Sequence, residues 1–244
     1  PQSPPLPAPS TDVDTLATVS RYVFQLTNER RQAYGRSTLR RDPSLTRLAC
    51  VHSADMLRRD FFDHVNPDGE GPSGRAARLH RRLVGGTGEN IWGQNGNRSQ
   101  PLSPRALADT IVPGWMNSPG HRKNILRRAF SHLGVCILRS GDQIRATQSF
   151  AGVRAFVSPP LPLMVTPKSH HPISTEPVPH HQARAERYDL WDPTTDQRIY
   201  GPAPLSDSLY IPDTTGTYRV RFYFPAPKGY RGHAGPEIRI RPTK

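Results

Sequence analysis

Two polar residues near the middle of the chain have the types of a nucleophile and its base. Ser118 and His121 lie three positions apart, and Pro119 marks a helix start between them. A serine hydroxyl beside an imidazole is the arrangement of many covalent hydrolases. The surrounding sequence, however, shows no oxyanion-hole pattern and no third group that would orient the imidazole. The pattern therefore favours N-capping over nucleophilic chemistry for Ser118.

Five short motifs rich in histidine, asparagine and acidic residues follow one another between residues 52 and 135. They are His52–Met56, Phe61–Gly69, Gly88–Ile91, Trp115–Leu126 and His132–Val135. In this order they resemble the CAP superfamily, named for cysteine-rich secretory proteins, antigen 5 and plant pathogenesis-related proteins. The resemblance is to its bacterial branch of SCP-like extracellular proteins, and it covers about Thr15 to Ala155.

The resemblance implies an α-β-α sandwich, secretion, and a shallow cleft lined by histidine and glutamate. Matched one position at a time, His64 corresponds to the first cleft histidine of the family. Glu89 corresponds to the glutamate of its Gly-Glu-Asn motif, and His121 to the histidine of its Gly-His motif. The second cleft glutamate falls near Ser118, where a hydroxyl does not replace a carboxylate.

A metal ion is one hypothesis for this cleft. Family members with two histidines and two glutamates can bind a divalent cation, and the missing carboxylate removes charge that would hold the metal. Two neutral imidazoles and one carboxylate still have the composition of a zinc site with an open position. The hypotheses are thus a divalent cation, such as zinc, at His64 and His121, or a cleft without a cofactor.

Structural roles compete with these functional ones. Glu89 is equally well explained as an acceptor that holds its loop. His52 lies at helical spacing between Leu48 and Met56, which predicts a half-buried packing residue. Asn124 is predicted to tie a helix to a loop.

The two cysteines, Cys50 and Cys136, form no Cys-x-x-Cys pair. They fall in a predicted helix and a predicted strand of one domain. A disulfide and two separate buried thiols are both consistent with this pattern.

Helical periodicity and capping signals surround the motifs. A first helix is predicted from about Asp14 to Tyr34, and a second begins with Asp42 as N-cap and Pro43 as the first helical residue. A third begins at Ser103-Pro104 and is predicted to be interrupted at Pro113-Gly114. A fourth begins at Ser118-Pro119.

Strand signals come after the helices. Residues Leu133–Leu138 and Gln143–Phe150 predict a hairpin with its turn at Ser140–Asp142. Because the helices precede the hairpin, the fold class is predicted to be α+β, a CAP-type α-β-α sandwich followed by a smaller domain.

Composition divides the chain into four segments. We predict a Pro-rich arm at residues 1–11, a CAP domain at 12–157, a Pro/His-rich linker at 158–183 and a small all-β domain at 184–244. The last segment contains short alternating runs that predict a small antiparallel β-sandwich: Tyr188–Trp191, Ser208–Ile211, Thr217–Phe224 and Glu237–Ile240.

The chain is strongly basic, with 33 Lys and Arg against 20 Asp and Glu and a net charge of +13. This charge favours an acidic partner, such as an anionic lipid, an acidic glycan or an acidic protein surface. No nucleic-acid-binding signature is present, so no nucleic-acid partner is expected. No apolar stretch approaches the ~20 residues of a transmembrane helix. The Pro-rich start without a methionine is expected of an exported protein, periplasmic or extracellular, after signal removal.

These observations predict an exported, non-catalytic CAP-domain protein of the cell envelope that binds or scaffolds a lipid, glycan or protein partner. Two alternatives stay open. One is a structural accessory subunit of a larger extracytoplasmic or membrane-associated complex, and the other is a metal-assisted hydrolase of peptide or cell-wall material.

Overall fold

The computed structural model describes residues 13–96 and 102–242, and the arm predicted at residues 1–11 lies outside them. Within these residues the chain forms five helices: α1 (Ala17–Ala33), α2 (Pro43–Arg58), α3 (Pro72–Leu79), α4 (Pro104–Asn117) and α5 (Pro119–Ile125).

The same part of the chain forms thirteen strands. They are β1 (Asp14–Thr15), β2 (Arg40–Arg41), β3 (Leu83–Gln94), β4 (His132–Ser140), β5 (Gln143–Ser158), β6 (Met164–Val165), β7 (Ser169–Pro172), β8 (Ser174–Pro177), β9 (Arg187–Asp192), β10 (Gln197–Pro204), β11 (Ser208–Ile211), β12 (Gly216–Ala226) and β13 (Gly229–Ile240). One sheet has the order β1-β4-β5-β3, with β2 beside β4 and β8 beside β5. A second has the order β10-β9-β12-β13-β6, and β11 pairs with β7 in a third.

The described residues divide into two compact units. The first unit contains residues 13–73 and 87–152, and the second contains residues 74–86 and 153–242. Residues 74–86 are predicted to lie in the first domain, but Arg81 and Val84 belong to the second unit. Arg81 donates hydrogen bonds to the backbone carbonyls of Leu161, Pro162 and Glu237, and Val84 lies in that unit's core.

The first unit has three layers because strand β4 is apolar on both faces. Leu133, Val135 and Ile137 pack with apolar residues of α1 and α4. Cys136 and Leu138 point the other way and pack against α2. Helices therefore cover both faces of the sheet, as the predicted α-β-α sandwich requires, and the α+β fold class with an additional β unit is confirmed.

Gly134 lets α2 approach β4 closely. A Cβ atom at this position would lie 2.0 Å from the carbonyl carbon of Leu45, in the first turn of α2. Asp42 caps the same turn, accepting a hydrogen bond from the Leu45 backbone N–H at 3.0 Å. The predicted start of this helix is confirmed, and the approach explains why the His132–Val135 motif contains a glycine.

The prediction that the third helix breaks at Pro113 is wrong. Helix α4 continues through Pro113 to Asn117. Proline removes one backbone hydrogen bond of the helix. Ile111, Val112 and Trp115 are almost completely buried on both sides of it, and their packing outweighs that local cost.

Other boundaries differ by a few residues. Helix α1 begins at Ala17 rather than Asp14, because Asp14 and Thr15 pair with β4 as strand β1. The predicted hairpin is confirmed, with Gln143 opposite Ser140 and longer strands than expected. Helix α3 and strand β3 were not predicted.

The second unit is built on alternating strands. Tyr188, Leu190, Val220, Phe222 and Ile238 are buried in its core. The five-stranded sheet is antiparallel except where β6 runs parallel to β13.

Residues 158–183, predicted as a linker, contribute strands β6, β7 and β8 to this unit. Leu161, Val165 and Ile173 are buried in its core. These strands have only two to four residues each, so the surrounding proline and histidine dominate the composition and conceal the strand pattern.

Candidate functional site

Three of the polar residues singled out in the sequence converge in the first unit. The His64 Nδ1 atom lies 2.9 Å from Glu89 Oε1, and the His52 Nε2 atom lies 3.6 Å from the same oxygen. The Glu89 side chain is only 4% exposed, the His52 side chain is fully buried, and the His64 side chain is 43% exposed. A buried carboxylate thus lies between one buried and one accessible imidazole.

This geometry determines how His64 is oriented. An ionised carboxylate can only accept, so the His64 Nδ1 atom must donate to Glu89. In the neutral ring the lone pair then resides on Nε2. The His52 Nε2 atom in turn donates to the backbone carbonyl of Asp63 at 3.0 Å, which anchors the segment that carries His64.

His121 completes the cleft. Its ring centroid lies 6.5 Å from that of His64, with the two planes tilted by 55°. Burial, together with the nearby His64, lowers the pKa of His121 below its ordinary value. A neutral His121 is therefore the form favoured near neutral pH.

A chain of side-chain amides joins the elements that carry these residues. Asn90, the neighbour of Glu89 on β3, donates to the backbone carbonyl of His121 at 3.2 Å and to Gln148 Oε1 at 3.1 Å. Asn124 of α5 donates to the Glu89 carbonyl and to Asn90 Oδ1, both at 3.0 Å. Asn124 thus ties helix α5 to strand β3, where the sequence predicted a tie to a loop.

Packing beneath the cleft leaves no room for a side chain before Glu89. A Cβ atom at Gly88 would lie 2.6 Å from Cζ of Phe130. The glycine of the Gly88–Ile91 motif is therefore required by the aromatic ring against it.

Arg31 positions the end of helix α5. Its buried guanidinium donates to the backbone carbonyls of Ile125 at 2.6 Å, Arg127 at 3.0 Å and Phe130 at 3.3 Å. Ile125 is the last residue of the helix that carries His121, and the other two carbonyls belong to the segment after it, so α1 holds the end of this helix in place.

Ser118 lies where the sequence predicts, but its hydroxyl does not play the predicted part. It occupies the N-cap position of α5, as predicted, but among the described residues its side chain makes no capping hydrogen bond. The carbonyl of Ser118 accepts from the Arg122 backbone N–H at 2.9 Å. Ser118 thus starts the helix through its backbone and Pro119, while the expected contribution of its hydroxyl is not observed.

The cleft does not assemble a three-ligand metal site. Within residues 13–96 and 102–242, no three His, Cys, Asp or Glu side chains are placed so that they could hold a metal ion together. The His64 Nδ1 atom, one of the two nitrogens of that ring, is engaged by Glu89. A cation bound by His64 and His121 alone stays a prediction.

Cys50 of α2 and Cys136 of β4 form a disulfide, with their Cα atoms 5.0 Å apart. This resolves the two alternatives that the sequence left open. It links one outer layer of the first unit to the central sheet.

The first unit also contains a cavity of about 200 Å³, and none of the residues that line it belongs to the cleft. Its apolar walls include Leu16, Val19, Leu107 and Ile144, and Arg139 lies at its edge. It is smaller than the roughly 300–1,000 Å³ typical of ligand pockets.

Sequence reasoning missed part of this site. His52 was assigned to packing, although it adjoins Glu89. Asn90 stood in a recognised motif, but its partner Gln148 lies 58 positions away in the sequence. The signal available for His52 was its place in the first of the five ordered motifs.

The fold and this cleft define a class of protein. The profile of the cysteine-rich secretory protein family, CAP, matches residues 24–150, which include His64, Glu89 and His121. The chain belongs to this family.

Two curated relatives come from Bacillus subtilis (strain 168). The uncharacterized protein YkwD is 35% identical over 153 residues, which cover 61% of this chain and 54% of YkwD. The uncharacterized membrane protein YlbC is 32% identical over 139 residues, which cover 54% of this chain and 34% of YlbC. The chain thus spans about half of one relative and a third of the other.

Two solved structures are similar to parts of the chain. An extracellular SCP-domain protein from Bacillus anthracis has 30% identity and a TM-score of 0.45, covering 55% of this chain and 40% of that one. An outer surface protein from Borrelia burgdorferi has 16% identity and a TM-score of 0.46, covering 55% and 91%. In the part of the chain that the structure describes, no helix combines the length and apolar character needed to cross a bilayer.

Proposed function

We propose that the first unit is a non-catalytic binding module of the cell envelope that recognises a polar or anionic group through His64 and His121. The observation that carries this proposal is the hydrogen bond of 2.9 Å between His64 and the buried Glu89 carboxylate. It orients an accessible imidazole beside a second one. Two imidazoles in this arrangement can bind one hydroxyl, carboxylate or phosphate group of a lipid, a glycan or a protein.

The partial exposure of the cleft supports binding. His64 is 43% exposed, and the adjoining Phe62 and Val65 are also exposed. The Arg145 guanidinium lies 5.6 Å from the Phe62 ring centroid and is itself buried, so it supports the ring from inside the unit. A polar pair flanked by exposed apolar groups is typical of sites that hold an amphiphilic ligand.

Export is part of the proposal. Disulfides persist in oxidising compartments, and the Cys50–Cys136 bond joins two of the three layers of the first unit. The family to which the chain belongs is described as secretory. These two observations together support a location in the periplasm or outside the cell.

We favour binding over the two alternatives. A hydrolase of the kind considered would use Ser118 or a three-ligand metal, and neither arrangement is assembled in the described residues. The accessory-subunit hypothesis relied on two extended arms. One of them lies outside the described residues, and the other contributes strands to the second unit.

The test is a binding experiment with histidine-specific detection. The full chain is titrated with phosphatidylglycerol vesicles, soluble peptidoglycan fragments and neutral vesicles, while NMR follows the Cε1–H signals of the histidines. We expect one of the anionic or glycan probes to shift the signals of both His64 and His121. The variants His64→Gln and His121→Gln should each weaken this binding by about tenfold, the value of roughly one charge-assisted hydrogen bond.

His180→Gln is the matched control, because His180 is an exposed histidine of the second unit. It should bind as the wild type does. Binding that none of the cleft variants changes would contradict the proposal. Cleavage of a probe that disappears in His121→Gln would replace it with the hydrolase alternative.

A further inference from the structure

Arginine and aromatic side chains share one face of the five-stranded sheet in the second unit. Antiparallel pairing places Arg198 of β10 and Arg219 of β12 directly opposite Trp191 of β9, and Glu237 of β13 opposite Arg219. Residues opposite one another in antiparallel strands point to the same face. These four side chains therefore form a row across four strands, on the face away from the core.

A buried carboxylate holds part of this face in place. Asp189 is fully buried, and its Oδ2 atom accepts hydrogen bonds from Arg198 at 3.0 Å, Arg221 at 2.7 Å and the Tyr223 hydroxyl at 2.6 Å. The Arg221 guanidinium also lies 4.0 Å above the ring of Trp191. Arg221 is thus fixed between an ion pair and an aromatic ring.

Gly232 of β13, which lies opposite Tyr223, makes room for two side chains of this face. A Cβ atom at Gly232 of β13 would lie 3.0 Å from Cε1 of Tyr223 and 3.2 Å from Cδ of Arg221. The two side chains therefore lie across the neighbouring strand instead of projecting from it. We call this surface the basic face and define it by Trp191, Arg198, Arg219, Arg221, Tyr223 and Arg239.

Exposure makes the basic face positive toward a ligand. The side chains of Arg198, Arg221 and Arg239 are 44%, 27% and 36% exposed, whereas those of Asp189 and Glu237 are 0% and 12% exposed. The acidic groups lie underneath, where they hold the arginines. An approaching molecule meets guanidinium groups and aromatic rings.

We propose that the basic face binds an acidic polysaccharide. Guanidinium groups bind carboxylates through paired hydrogen bonds, and an aromatic ring provides a flat apolar surface for a sugar ring. Guanidinium and aromatic groups that lie side by side on neighbouring strands suit a chain of rigid rings. A membrane surface instead favours apolar side chains that are free to insert, whereas both aromatic residues of the basic face are held by hydrogen bonds, Trp191 to Asp196 and Tyr223 to Asp189. The net charge of +13 adds long-range attraction.

The test uses a short oligogalacturonate as the probe and the full chain as the protein. Titration calorimetry should detect binding. The part of the tryptophan fluorescence that Trp191→Phe removes should change as the ligand binds beside the Arg221–Trp191 pair. Neutral dextran should not bind. The double variant Arg219→Ser/Arg239→Ser, which keeps the ligands of Asp189, should weaken binding by about tenfold or more.

A matched variant separates this site from general charge. Arg128 and Arg184 are exposed and lie outside the basic face, so Arg128→Ser/Arg184→Ser removes the same charge and should change affinity by less than about twofold. Arg219→Lys/Arg239→Lys keeps the charge but loses paired hydrogen bonds, and an intermediate loss is expected. It also provides the test if the serine variant does not fold.

Three results would overturn the proposal. The first is equal weakening by the two serine double variants. The second is binding of phosphatidylglycerol vesicles or a single-stranded oligonucleotide that is tighter than that of oligogalacturonate and is lost in Arg219→Ser/Arg239→Ser but kept in His64→Gln and His121→Gln, which would assign the face to another class of partner. The third is no binding of oligogalacturonate at all. The proposal is independent of the cleft, because His64→Gln and His121→Gln should leave oligogalacturonate binding to this face unchanged.

Discussion

The buried Glu89 carboxylate connects the residues of the candidate cleft. It accepts from His64 and adjoins His52, and the backbone carbonyl of Glu89 accepts from Asn124. One residue thus orients an accessible imidazole and fastens strand β3 to helix α5. Within the described residues, Glu89 is the acidic side chain that contacts both His52 and His64.

His121 should make stability depend on pH. Its pKa lies below the ordinary 6.5 because of burial and the nearby His64. The unfolded chain therefore takes up a proton at this position at higher pH than the folded protein, and the free energy of unfolding decreases as the pH falls through about 6.5. His121→Gln removes this contribution, so its stability should fall less than that of the wild type between about pH 7 and pH 5.

Urea unfolding of both proteins across this pH range provides the measurement. His171, His181 and His233 also have pKa values lowered by burial. They contribute equally to both proteins, so the difference between the two curves isolates His121. Parallel curves would contradict the assignment.

The candidate site was predictable as far as its residues belong to ordered motifs. His64, Glu89 and His121 were identified in this way, and the structure brings the first two into contact and the third beside them. Gln148 was not predictable, because its role depends on a hydrogen bond to Asn90 between distant strands. The Ser118 hydroxyl was misjudged because Pro119 and the backbone already start the helix.

Strand β4 organises the first unit because its two faces meet different helices. Leu133 and Val135 face the layer of α1 and α4, and Cys136 faces α2. Gly134 lies where the sheet and α2 approach most closely. The separation of these layers therefore depends on one residue without a side chain.

We expect Gly134→Ala to be severely destabilising. Its Cβ would lie 2.0 Å from backbone atoms of Leu45 and Thr46, and backbone cannot move aside as a flexible side chain can. The expected loss is at least about 3 kcal/mol, at the upper end of overpacking effects. Gly86→Ala is the control, because a Cβ at Gly86 meets nothing within 4 Å. Thermal unfolding measures both, and a Gly134→Ala variant as stable as the control would refute the close approach.

The elements were predictable where local chemistry agrees with packing. Asp42 and Pro43 predicted the start of α2, and the Ser140–Asp142 turn predicted the hairpin. Strand β3 was missed because Gly85, Gly86 and Gly88 weaken its strand pattern. The predicted third helix ended at Pro113 instead of Asn117. The burial of Trp115 and Ile111, which offsets the hydrogen bond lost at the proline, is a tertiary effect that the local sequence does not show.

The disulfide should dominate the stability of the first unit as a whole. Cys50 and Cys136 are 86 positions apart, and closing a loop of this size restricts the unfolded chain by roughly 4.5 kcal/mol in the chain-entropy model. Cys50→Ala/Cys136→Ala should lower the melting temperature by about 10 °C. The wild type in reductant should approach the same value.

Calorimetry with and without dithiothreitol tests this expectation. The double alanine variant is its own control, because reductant should not change its melting temperature. A wild type that melts at the same temperature in both conditions would show that the bond does not constrain the unfolded chain.

The second unit takes residues 74–86 from an early part of the chain and the rest from residues 153–242. During synthesis, Arg81 and Val84 therefore leave the ribosome well before their partners Leu161 and Glu237 exist. The early segment lacks these partners until the chain has been made as far as Glu237. A gene fragment that starts at codon 153 would encode this unit without the guanidinium that links its backbone carbonyls, so the two units cannot be separated by a single cut.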